Sequence, residues 1–143
     1  MLRNIPTILS PDLLWTLRAM GHGDDLVIAD ANFPATALGA RCHRLDGLTA
    51  TEVLQAVLTV LPLDKFVQHP ALVMQVVDDP EAVPSIVAEF QKITTTTADN
   101  PAKLDKLERF DFYDRAKTAF AIIQTGETRL YGNIILKKGV IGA

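Results

Sequence analysis

Apolar residues along this chain fall into two patterns, helical spacings and short continuous runs. Leu13, Leu14, Leu17 and Met20 recur at three- and four-residue steps, the period of one helix face. Ser10-Pro11-Asp12 stands before them. It offers a hydroxyl cap, a proline where its missing N–H costs nothing, and an acid near the positive end of the helix dipole. Gly21 closes the run. Between Asp25 and Asp30 lies Leu26-Val27-Ile28-Ala29, a stretch with no polar face. That pattern predicts a strand covered on both sides, as in a parallel sheet. Ala31 to Ala35, with Asn32 and Pro34, reads as a loop leaving the strand, and Arg41 to Leu45 as a short further strand.

Thr49-Ala50-Thr51-Glu52 has capping-box spacing, and Val53, Leu54, Val57, Leu58 and Leu61 supply the apolar face of a second helix that Pro62 stops. Ala71 to Val77 predicts another strand, bounded by Pro70 and by Asp78-Asp79-Pro80. Pro84 to Ile93 predicts an amphipathic helix, and Thr94 to Pro101 a turn-rich connection. Lys103 to Lys117 reads as a charged helix or a pair of short turns. The C-terminal part reads as strand (Ala119 to Gln124), turn (Thr125-Gly126-Glu127) and strand (Tyr131 to Lys137). The expected fold is α/β: a single three-layer domain over residues 1–143. Its central sheet is mixed but mostly parallel, flanked by helices, and ends in an antiparallel hairpin.

Composition narrows the class. The chain has 143 residues, 48% of them hydrophobic and 22% charged, enough for one domain with its own core. A formal net charge of −3 provides no broad basic field for a phosphate backbone, so no nucleic-acid partner is expected. Cys42 is the only cysteine, which forbids an intrachain disulfide and suits a reducing compartment. The first ten residues lack a sustained apolar core, so no secretory signal is expected, and no apolar stretch approaches bilayer length. The expectation is a soluble cytoplasmic domain without a membrane partner.

Three segments could carry chemistry. In Gly21-His22-Gly23-Asp24-Asp25 an imidazole sits on a turn whose glycines permit close approach, which suits a general acid or base. It equally suits a solvated loop histidine. Asp30-Ala31-Asn32-Phe33-Pro34 lies at the carboxyl end of the buried run, where open α/β sheets gather ligands. Asp30 there could orient a histidine, bind sugar hydroxyls, or only close an Asx-turn. Arg109-Phe110-Asp111-Phe112-Tyr113-Asp114-Arg115 and Tyr131-Gly132-Asn133 offer rings for a sugar's CH faces and polar groups for its hydroxyls. Taken singly, Phe110 and Phe112 read as core, Arg109 and Arg115 as surface ion pairs, and Tyr131 as a strand residue. No Walker, dinucleotide, HExxH, CxxC or nucleophile-elbow pattern occurs, and nothing in the spacing of His43 and His69 joins them to His22 as metal ligands. What remains is acid–base chemistry with no cofactor and no metal.

At these same segments the chain resembles the L-fucose mutarotase/D-ribose pyranase family. The matching stretches are Met20 to Asp25, Ala29 to Ala35, Arg109-Phe110, Phe112 to Ala116, Thr125 to Glu127, and Tyr131 to Val140. The resemblance implies a cofactor-free isomerase that interconverts the anomers of a free monosaccharide. His22 matches the catalytic histidine, and Asp30, Arg109, Tyr131 and Asn133 match positions that hold the sugar, with Tyr113 as a neighbour. Arg109 followed by Phe-x-Phe-Tyr looks like the L-fucose branch. The alternatives are a D-ribose pyranase and a non-catalytic sugar-binding or regulatory protein. The resemblance also implies ring-like homo-oligomers, with decamers known in the family and smaller assemblies also implied.

Overall fold

The computed structural model describes residues 1–39 and 41–142. In chain order the elements are α1 (Pro11–Ala19), β1 (Asp25–Ala29), α2 (Ala35–Leu38), β2 (Cys42–Leu45), α3 (Ala50–Leu58), β3 (Ala71–Met74), α4 (Ser85–Thr97), β4 (Asp105–Leu107), α5 (Arg109–Lys117), β5 (Ala121–Thr125) and β6 (Ile134–Lys137). Six strands form one sheet in the order β2-β5-β1-β6-β3-β4. β2, β5 and β1 pair in parallel, as do β3 and β4, while β6 runs antiparallel to both β1 and β3. Five strands therefore point one way and β6 alone points back.

Side-chain alternation sorts the core into two layers. Leu26, Ile28, Val73, Ile123, Ile134 and Leu136 face a cluster made with α1, α3 and α4. Val27, Ala29, Leu72, Met74, Ile122 and Ile135 face the opposite cluster with α2 and α5. This is the three-layer arrangement the apolar runs demand, because central strands buried on both faces need cover on both. The predicted caps form as read: Ser10 accepts the Leu13 N–H, and Thr49 with Glu52 closes a reciprocal capping box. No helix among the described residues is long and apolar enough to cross a membrane.

The closing strand is antiparallel, but its partner differs from the expected hairpin. β5 and β6 do not pair; β1 lies between them, with Leu26 opposite Ala121 on one side and Leu136 on the other. Residues 126–133 form too long a connection for a tight hairpin, and β1, wholly apolar beyond Asp25, takes the central slot. The threonines after Ile93 are helical, not a turn. α4 runs to Thr97 because Thr94 extends its buried face by a turn, and the hydroxyls of Thr95 and Thr96 donate back to Gln91 O (2.8 Å) and Lys92 O (3.0 Å). The segment Lys103 to Lys117, expected as a charged helix or a pair of short turns, holds a strand, β4, before α5. β4 is a three-residue edge strand, only partly buried, that carries no periodicity of its own. Phe112 is core as read, whereas Phe110 is exposed.

Candidate functional site

The five co-directional strands deliver their carboxyl ends to one edge of the sheet, and β6 starts there. Asp30 follows β1, Val77 lies just beyond β3, Arg109 opens α5 just after β4, and Tyr131 and Asn133 precede β6. Together with Asn32, Phe33, Met74, Tyr113 and Leu130 they line a cleft of about 190 Å³. Ligands collect at such strand ends because backbone and side-chain polar groups left unpaired by the sheet converge there. Other hollows are roomier: one of about 230 Å³ shares Val77 and Arg109 with this cleft, one of about 350 Å³ lies beside α4, and two of about 470 and 500 Å³ lie beside α1 and the N-terminal segment. The two beside α1 present no carboxylate or amide side chain for a polyol.

At the cleft floor Asp30 and Asn133 hold each other reciprocally. The Asn133 amide donates to Asp30 Oδ2 (2.8 Å), the Asp30 N–H donates to Asn133 Oδ1 (2.9 Å), and the Asn32 N–H donates to Asp30 Oδ1 (3.0 Å). Both residues are buried. Burial pushes the Asp30 carboxyl above its ordinary value, opposed by hydrogen bonds from the Asn32 N–H, the Asn133 amide and the Phe33 and Gly132 backbone. Asx-turn and sugar-site readings of Asp30 are thus not exclusive, since one oxygen closes the turn and the other meets the amide.

Tyr131 sits in the left-handed region (φ 63°), uncommon for a bulky residue and a mark of over-determined surroundings. Gly132 explains how the strain is held: a Cβ there would lie 2.9 Å from Glu127 Cγ and 3.0 Å from Ile86 Cδ1. The Tyr131 hydroxyl accepts the Val77 N–H at 3.1 Å, which leaves its own proton free for the cleft. The Arg109 guanidinium lies over the rings of Tyr113 (5.6 Å) and Phe110 (5.7 Å), and the Tyr113 ring tilts against Phe33 at 5.5 Å. Arg109 makes no ion pair among the described residues. Arg115 does, to Asp25 at 2.8 Å.

His22 is not in the cleft. It precedes β1, whereas Asp30 follows it, and the five intervening strand residues alone span roughly 17 Å. Its Nε2 lies 3.1 Å from Oδ1 of Asp64, a carboxylate that is only 3% exposed, while the imidazole itself is 46% exposed. Burial would raise the Asp64 carboxyl, but hydrogen bonds from the Phe66 N–H and from His22 hold it below the usual value. The exposed Phe66 ring tilts over the imidazole at 5.5 Å. This end of the sheet is therefore a second polar constellation: an accessible histidine oriented by a buried acid. Asp64 escaped the sequence reading because it follows a helix stop, Leu61-Pro62-Leu63, with nothing local to link it to residue 22.

Glu127, placed by the sequence only in a turn, and Arg129, which carries no sequence signal, form an ion pair. Buried Glu127 takes both the Nε and Nη2 of Arg129 at 3.0 Å, its main-chain carbonyl accepts the Ala31 N–H, and Arg129 reaches Glu89 at 2.8 Å. They tie the loop that carries Tyr131 to the loop that carries Asn32. Among the described residues no group of three or more His, Cys, Asp or Glu side chains could hold a metal ion.

Asn133→Ala should remove two buried bonds at once and lower stability by about 2–3 kcal/mol. With a lowering contact gone, the Asp30 pKa should rise further. A raised carboxyl favours the folded state only while protonated, so the deficit against the native chain should be smallest at low pH and grow as pH rises through the Asp30 pKa. Urea unfolding across pH, with carbon NMR titration of Asp30, checks both.

These features define an open-sheet α/β protein with a small polar cleft at its strand ends. The chain belongs to the RbsD / FucU transport protein family, whose model matches residues 3–141. The fucose mutarotase of Mus musculus is 48% identical, covering 98% of this chain and 95% of that one. The L-fucose mutarotase of Histophilus somni is 41% identical, with 98% and 97% covered. The crystal structure of the Streptococcus pneumoniae fucose mutarotase in complex with L-fucose superposes with TM-score 0.91 at 42% identity, covering 99% of this chain and all of that one. The Bacillus subtilis RbsD complexed with D-ribose shares the fold at TM-score 0.75 and 21% identity.

Proposed function

We propose that the chain is a cytoplasmic, cofactor-free mutarotase that interconverts the α and β anomers of free L-fucose. The observation that carries this reading is the buried Asp30–Asn133 pair, set beside the strained Tyr131 and the Arg109–Tyr113 stack in one monosaccharide-sized cleft. A free carboxylate lone pair, an amide and a guanidinium suit adjacent hydroxyls, and the rings suit CH faces. The mutarotase names of relatives above 40% identity support the sugar.

Anomer exchange breaks the bond between the anomeric carbon and the ring oxygen and re-forms it on the other face of the aldehyde. Opening takes a proton from the anomeric hydroxyl and gives one to the ring oxygen. In this reading His22 performs the first transfer with Asp64 orienting its ring, and the Tyr131 hydroxyl, already accepting from Val77, offers a proton for the second. Because His22 and the cleft lie at opposite ends of one sheet, His22 must come from a neighbouring copy. The mutarotase reading therefore includes a homo-oligomer, a ring of up to ten copies or a smaller assembly. Burial of Asp30 raises its pKa, so if the ionised form holds the sugar the acid limb of activity lies above that of an unperturbed aspartate.

Saturation-transfer NMR on L-fucose and D-ribose tests the proposal. The expected result is exchange of L-fucose anomers well above the buffer rate; exchange confined to D-ribose would make the protein a pyranase instead. A second reading, a sugar-binding protein without catalysis, draws on the lack of an imidazole in the cleft of a single chain. It predicts saturable L-fucose binding with no acceleration.

A further inference from the structure

Three cleft residues have no role in holding hydroxyls. Met74, Val77 and Leu130 contribute apolar side chains to the lining of the cleft that holds Asp30 and Asn133. Val77 and Leu130 are 49% and 67% exposed and lie outside both core clusters, so core packing does not account for them. Their place is held firmly: the Val77 N–H is bonded to the Tyr131 hydroxyl, and Leu130 adjoins the strained Tyr131 turn. The CH faces of a pyranose already have Phe33 and Tyr113. A fully hydroxylated hexose has no further apolar group to offer the wall. Beside these side chains a C6 hydroxyl would gain no protein partner and would lose part of its hydration, whereas a methyl would gain apolar contact.

We propose that Val77 and Leu130, backed by Met74, are specificity-determining residues that recognise the methyl group of a 6-deoxypyranose. This rests on the monosaccharide reading of the cleft and sharpens it. L-Fucose, L-galactose and D-arabinose share one ring stereochemistry and differ only in the C5 substituent, which is methyl, hydroxymethyl or hydrogen. The wall selects the first. Apolar pockets discriminate such small differences modestly, so L-fucose should exceed L-galactose by roughly ten- to a hundred-fold in kcat/KM and in affinity.

The test is the double variant Val77→Thr with Leu130→Asn, which changes polarity at nearly constant volume and keeps the Val77 backbone donor. Affinities are measured by calorimetry and anomer exchange by NMR, for all three sugars. The expected result is an L-fucose to L-galactose ratio falling below about threefold, with D-arabinose unchanged because it has no C6 group to lose. An unchanged ratio overturns the proposal, as does an equal loss for all three sugars. A change in oligomer size without a change in selectivity also overturns it, since the rim then serves a second copy. The mutarotase reading fails separately: binding preference without exchange sinks catalysis and leaves the wall, while exchange without preference does the reverse.

Discussion

His22→Ala should cut L-fucose anomer exchange by roughly a hundred- to ten-thousand-fold, the usual contribution of a positioned acid–base group, while sugar affinity changes little. Affinity is largely spared because in this reading His22 meets only the anomeric hydroxyl, while the cleft residues hold the rest of the sugar. Arg109→Ala should do the opposite, weakening affinity, and it should fold normally because Arg109 is exposed and only stacks on rings. Mixing the two impaired proteins, assayed at sugar levels far below the KM of Arg109→Ala, then gives the decisive readout. If each working site takes its cleft from one copy and its histidine from another, co-refolded mixtures should recover about a quarter of native activity, the random-pairing fraction for two-copy sites. No recovery, with mixed oligomers present, would sink the shared site. Asp64→Asn should lower exchange less than His22→Ala and alter its pH profile, as expected for a positioning residue.

The second large effect is on stability. Arg129→Ala strands the buried Glu127 carboxylate, which keeps backbone donors at Arg129 and Ala50. Breaking one half of a buried pair is strongly unfavourable; with Arg129 itself partly exposed, a loss of about 2–4 kcal/mol is expected. The sign with pH is fixed by which group is stranded. In the native chain Arg129 holds the Glu127 carboxyl below its ordinary value despite burial, so this pair stabilises above the unfolded carboxylate pKa and fades as pH falls through the folded one. The deficit of Arg129→Ala should therefore shrink in acid, where Glu127 is neutral. Adding Glu127→Gln should recover part of it at pH 7, because the charge is gone. Chemical unfolding of the three proteins at two pH values measures this, and full additivity of the two substitutions would show that the ion pair is not coupled. Since the loop also carries Tyr131, sugar affinity should fall with Arg129→Ala even at temperatures where the chain stays folded.

Legibility of the site follows how local its parts are. Asp30, Arg109, Tyr113, Tyr131 and Asn133 stand out as polar or aromatic groups in three segments of the sequence, and the sheet brings these five together. Their convergence depends on β6 running against its neighbours, so that its start meets the other strands' ends. The sequence offered a hairpin instead, because adjacency along the chain is the default for two strands joined by a turn. Asp64, Val77 and Leu130 gave no signal, for each gains meaning only from a partner distant in sequence: His22 in one case and the cleft in the others.

Sequence alone determined the elements whose cause is local: the caps at Ser10 and Thr49, the helix faces, and the doubly buried β1 that required a layered α/β fold. Hydrophobic period and capping act within a few residues, so a linear reading reaches them. Strand order, the central place of β1, and the meeting of the β6 start with the ends of the other strands were decided only in three dimensions. Those depend on which apolar strand best fills the middle of the sheet, a competition among all six strands that no single segment records.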